Sequence, residues 1–166
     1  MTPAAQQLIR TSWAAVEPIA DDAATLFYSR LFELDPSLEK LFRHADMPKQ
    51  RKVLMQTLAV VVANIDRLDQ VIPAVQALGR RHAGYGVEVE HYATVGSALL
   101  WTLEQGLGDT FSDEVAYAWA DAYRRLSSVM IEAAQQVEEP APRPMHRRWR
   151  TAVPLLPALQ AGSAAT

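Results

Sequence analysis

The sequence predicts an all-α protein of about seven helices of uneven length around one core. Apolar residues recur at three- and four-residue spacing along nearly the whole of residues 5–135, the period of a helix with one buried face. No segment alternates apolar and polar residues as a half-buried strand would. The helix-breaking residues are unevenly spaced, which disfavours a regular four-helix bundle.

The elements follow in order. Leu8, Ile9, Trp13 and Val16 mark the first helix, and Pro18 closes it. Asp21 or Asp22 caps a second, in which Leu26, Phe27, Leu31 and Leu34 are expected on one inner side. Asp35-Pro36 is a stop and restart, a cap followed by proline at the first helical position. The short helix it opens ends near Phe42, and a polar loop runs from His44 to Lys49. From about Gln50 to Ile65 a strong stripe returns in Leu54, Leu58, Val61, Val62 and Ile65. Asp66 to Asp69 is a turn. The helix bearing Ile72, Val75, Leu78 and His82 is terminated by Gly84 and Gly86. Glu88 to Leu107 is helical, with Tyr92, Val95, Leu99 and Leu103 in sequence. Ser112 opens the last helix, with Asp113 and Glu114 in its first turn. The stripe expected there is Val115, Trp119, Ala122, Leu126, Val129, Met130 and Ala133.

The 166 residues suit one domain with a sizeable core. There is no cysteine, so a metal would be held by His, Met, Tyr or carboxylates. That composition fits the reducing cytoplasm. Residues 1–20 do not read as a signal peptide, and no apolar run of about 20 residues is present to form a transmembrane segment. All 19 acidic residues lie at or before Glu139, together with 12 of the 16 basic ones. The remainder are Arg143, Arg147, Arg148 and Arg150. An acidic body argues against nucleic acid as a partner. The division expected is a domain over residues 1–138 and a flexible tail over residues 139–166, where five of the ten prolines sit. Within it, Trp149 to Leu159 has the basic and apolar character that anionic membranes or partners attract. Its shortness and its prolines favour a solvated tail.

Among the four histidines His82 stands out. It follows Leu78 by four residues, which places it on an apolar face, and it precedes a glycine-rich break where a planar group could approach closely. A core histidine is the plainer alternative; an axial ligand to haem iron is the functional one. Tyr28 lies between Phe27 and Leu31, either as a core tyrosine bonded to a carbonyl or as a donor aimed into a pocket. Gln50 sits one turn before Leu54, as a helix-start polar group or at a pocket mouth. No phosphate-binding glycine loop, zinc-protease motif or serine-hydrolase motif occurs.

Six strings in order carry a resemblance. They are Leu26-Phe27-Tyr28-Ser29-Arg30-Leu31-Phe32, Pro36 to Phe42, Gln50-Arg51-Lys52-Val53-Leu54, Asn64-Ile65-Asp66-Arg67-Leu68, Arg81-His82-Ala83-Gly84-Tyr85-Gly86-Val87 with Tyr92 ten residues after His82, and Ala118-Trp119-Ala120-Asp121-Ala122-Tyr123. Together they resemble the single-domain bacterial haemoglobins and the globin domain of flavohaemoglobins, over about residues 5–135. The resemblance implies a globin fold around haem b (iron protoporphyrin IX), with His82 as metal ligand and Phe42, Leu54, Arg81 and Tyr92 about the cofactor. It implies a distal pocket of Tyr28, Gln50 and Leu54, in which Tyr28 and Gln50 donate hydrogen bonds to dioxygen. The family often pairs its proximal histidine and tyrosine with a glutamate in the last helix. Alignment on Tyr123 puts Ala134 there, with Glu132 on another face. The functions this implies are reversible binding or delivery of O₂, and alternatively dioxygenation of nitric oxide with a separate reductase as partner. Gas sensing, or a haem-free helical scaffold, are further alternatives.

Overall fold

The computed structural model describes residues 1–136. Six α-helices account for most of them: α1 (Pro3–Val16), α2 (Ala20–Leu34), α3 (Met47–Ala63), α4 (Ile72–Gly84), α5 (Val89–Leu107) and α6 (Asp113–Gln135). Four 3-10 helices join them, at Glu17–Ile19, Pro36–Phe42, Leu68–Val71 and Gly108–Thr110. No strand occurs among the described residues, so the all-α reading holds. The expected seventh helix, Pro36–Phe42, is 3-10 throughout. The tail boundary at 138/139 and the tail itself lie outside the described residues.

Three of the helices, α1, α3 and α6, begin where a side chain takes up an orphan backbone N–H group, whereas α2 and α4 have no side-chain cap and Asp21 and Asp22 fall in the first turn of α2 rather than capping it. The Thr2 hydroxyl accepts from the Ala5 amide at 3.1 Å, the Asp46 carboxylate from that of Lys49 at 3.2 Å, and the Ser112 hydroxyl from that of Val115 at 3.2 Å. Because Asp46 caps it and Pro48 sits in its first turn, α3 starts at Met47, three residues earlier than the apolar stripe indicates. The polar loop shortens accordingly.

The core gathers Ile9, Trp13, Val16, Phe27, Leu31, Leu103 and Trp119. Trp13 and Trp119 lie 6.3 Å apart between centroids. The buried Trp119 Nε1–H donates to Ser12 Oγ at 2.8 Å, so the indole is buried with its polar end satisfied. Two stripe assignments need correction. Leu26 and Leu34 are 39% and 41% exposed: the inner face of α2 is Ala23, Ala24, Phe27, Tyr28 and Leu31, which leaves Leu26 turned aside and Leu34 beyond the edge of the core. On α6, Leu126, Val129 and Met130 are half-buried, while Ala118 and Ser127 are buried.

α4 packs most extensively on α6, α2 on α5, and α3 on α2 and α1. The α4–α6 approach depends on Gly79. A Cβ there would stand 2.3 Å from the Met130 carbonyl oxygen and 2.6 Å from its Cα, so backbone meets backbone and only glycine fits. α3 and α4 are not among the extensively packed pairs.

Candidate functional site

Tyr28 and Gln50 form the centre of one cluster. Tyr28 projects from the inner face of α2 and is 7% exposed; Gln50, in the first turns of α3, is 8% exposed. Capping by Asp46 brings Gln50 to that place, since the Asp46 carbonyl accepts from the Gln50 amide at 2.8 Å. The Gln50 side chain lies close enough to the Tyr28 hydroxyl to act on its titration. Burial pushes the Tyr28 hydroxyl up to about 12, against the Gln50 side chain and the Arg51 charge, which pull it down. The phenol therefore keeps its proton at neutral pH and remains a donor.

Aromatic rings pack about Tyr28. Phe42, at the end of the 3-10 helix, meets Tyr28 edge-on at 5.5 Å and Phe32 at 5.5 Å; Phe27 meets Tyr28 edge-on at 5.0 Å. Each geometry is favoured by ring quadrupoles. Leu54, one turn along α3 from Gln50, is half-buried against the core. Phe32 and Arg51 belong to this neighbourhood and were not singled out in sequence. The Tyr28-to-Phe32 spacing of one helical turn was the available signal.

His82 stands three residues beyond Gly79 on α4. Its Nδ1 lies 2.8 Å from the Leu78 carbonyl oxygen. A carbonyl only accepts, so Nδ1 carries the proton and Nε2 keeps its lone pair. Burial lowers the imidazole pKa; the Leu78 bond opposes this, and the Arg81 charge adds to the lowering. The ring is held neutral, the form that ligates a metal. The chain then turns away: the Val87 amide bonds the His82 carbonyl at 3.0 Å, and Gly86 takes φ +89°, a conformation in which a side chain would be strained.

Tyr92 opens α5 and is half-buried, with burial raising its hydroxyl. Its backbone carbonyl accepts from the Tyr123 hydroxyl at 2.5 Å. Tyr123 in turn lies over Gly96, where a Cβ would stand 2.7 Å from the ring. Ala134 is half-buried on α6 and Glu132 is exposed, so no carboxylate of α6 joins this side at either position. Thus Tyr28, Phe42 and Gln50 come together directly, with Leu54 one turn further along α3. His82 and Arg81 stand together on α4 and Tyr92 on α5, and His82 bonds Leu78 rather than Tyr92.

The donor set bears on what these residues could hold. Among the described residues no group of three or more His, Cys, Asp or Glu could hold a bare ion. One neutral imidazole suits a metal whose remaining ligands come from a planar macrocycle. The apolar residues Leu54, Met55, Leu58 and Val61 of α3 and Leu78 of α4 are half-buried, on helices whose main packing lies elsewhere. Apolar walls and one imidazole fit haem.

The sequence model of the family described as Globin matches residues 25–130. The chain is 29% identical to a flavohemoprotein of Bacillus subtilis over 137 residues, which is 81% of this chain and 34% of that protein. It is 31% identical to a flavohemoprotein of Oceanobacillus iheyensis over 113 residues, 67% of this chain and 28% of that protein. It therefore spans about a third of the length of these relatives. A solved bacterial globin from Campylobacter jejuni superposes with a TM-score of 0.71 at 24% identity, covering 81% of this chain and 96% of that one.

Proposed function

The chain belongs to the globin family, and from that premise we propose that it holds haem b on His82 and binds dioxygen reversibly beside Tyr28 and Gln50. The hydrogen bond from His82 Nδ1 to the Leu78 carbonyl carries the reading, because it fixes the tautomer and leaves Nε2 free to ligate. Haem, when bound, supplies an iron that takes small gases such as O₂ and NO. The residues do the rest. Tyr28 holds its proton and offers it as a hydrogen bond, and the Gln50 amide offers a second. Phe42 and Leu54 exclude water, and Tyr92 and Arg81 border the histidine. The purified protein, expressed with ample haem, is expected to show a strong Soret band that His82→Ala abolishes. An unchanged band in that variant would remove His82 as the ligand.

A second reading is dioxygenation of nitric oxide, in which NO, O₂ and one electron give nitrate. The relatives that the chain matches are flavohemoproteins, which favours it. Here the electron would come from a separate reductase. Ala134 in place of a glutamate weighs against it, since neutral His82 receives no carboxylate support from that position. NO consumption under O₂ with a generic reductase separates the two: rapid stoichiometric nitrate supports the enzyme, and slow loss of NO leaves the carrier.

A further inference from the structure

Residues 40–52 hold Lys40, Arg43, Lys49, Arg51 and Lys52 against one carboxylate, Asp46. The rest of residues 1–136 has seven basic residues against sixteen acidic ones. Asp46 is occupied as the cap of α3, and Glu39 lies exposed at the edge of the segment. Lys40, Arg43, Lys49 and Lys52 are all exposed, and none is ion-paired to a described residue. This is a positive segment on an acidic body, and it runs through the candidate site: Arg43 follows Phe42, and Lys49 precedes Gln50.

We propose that this segment is the docking surface for an electron-donating protein with an acidic surface. The inference rests on the haem reading, because an iron that becomes oxidised must regain an electron from a donor brought close to the cofactor. Uncompensated charge of one sign at the site mouth attracts and orients a partner of the opposite sign. The acidic remainder of the body repels that partner, so it favours one approach. A membrane fits less well. The exposed large apolar residues are Ile19, Leu26, Leu34, Val89 and Tyr117, all outside 40–52, so no large exposed side chain there would enter a bilayer.

The test titrates the haem-loaded, ¹⁵N-labelled chain with a flavodoxin, an acidic one-electron donor. Amide shifts are expected to concentrate in residues 40–52. Affinity should fall roughly tenfold or more between about 0.01 M and 0.15 M salt, as the screening length shrinks from about 30 Å to about 8 Å. Lys49→Glu/Lys52→Glu should weaken binding by a similar factor and slow reduction by the reduced flavodoxin. It should leave the Soret band, and reduction by small reduced lumiflavin, unchanged. Shifts centred elsewhere, binding indifferent to salt, or a variant that binds like the parent would overturn the proposal. So would binding to phosphatidylglycerol vesicles through 40–52 with no response to flavodoxin. Amide shifts do not require haem, so failure of the haem reading shows separately as a missing Soret band.

Discussion

Tyr28 and Gln50 are buried neighbours, with phenyl rings packed about the tyrosine, and this makes each a strong test residue. A hydrogen bond contributes about 1 kcal/mol, so Tyr28→Phe and Gln50→Leu should each speed O₂ release by roughly fivefold, read by stopped-flow displacement. If neither variant changes the off-rate, the pair is not the distal donor set. Ser12 is a control remote from the site. Ser12→Ala leaves the buried Trp119 N–H without its acceptor, and urea unfolding should register a loss of about 1–3 kcal/mol without a shift in the Soret band. At this scale the sequence singled out His82 through its one-turn spacing from Leu78. It could not disclose that the Leu78 carbonyl fixes the tautomer, because a backbone acceptor has no residue identity. Arg51 was hidden for a related reason: a charge one residue from Gln50 reads as surface until the fold half-buries it against Tyr28.

Between elements, the decisive contact is α4 against α6. Gly79→Ala puts a methyl group into the Met130 backbone, which cannot rotate away as a side chain could. Displacing α4 should cost about 1–3 kcal/mol, a typical cost of overpacking, seen as a lower urea midpoint, and should weaken haem retention because His82 rides on the same helix. On the outer side of α6, Arg125 and then Arg124 hold the Asp121 carboxyl below its ordinary value of 3.8. The folded state thus binds this proton less readily than the unfolded chain. Its contribution is complete above pH 3.8 and is lost as the pH falls through the lower, folded value. Asp121→Asn should flatten that part of the acid unfolding curve, measured by far-UV circular dichroism. Helix existence and most ends were legible, since caps such as Ser112 and breaks such as Gly86 are local chemistry. The start of α3 was not, because its first turn, Met47–Lys49, carries none of the apolar stripe that marks the rest. The 3-10 character of Pro36–Phe42 was also hidden, as seven residues can close as either helix type.

Across the whole molecule, apolar periodicity was enough to give the all-α class, and six ordered strings carried the resemblance that gave the fold. Which helices pack on which was not readable from either stripe, since α4 and α6 meet through a glycine and a backbone rather than through a pair of large side chains. If haem binds only the folded chain, its removal should lower the thermal midpoint, and the gap should widen with haem concentration, as linkage requires; a midpoint indifferent to haem would contradict this. The division of supports has one more consequence. α3 is mounted on α1 and α2, whereas α4 is mounted on α6. On the proposed reading the two helices that bear Gln50 and His82 therefore rest on different supports, and a flat cofactor can enter between them after those supports have set. Loading then becomes an assembly step that follows folding. In pulse-labelled hydrogen exchange, the amides of α1, α2 and α6 should already be protected in the cofactor-free chain, with later gains confined to α3, α4 and the segment between them.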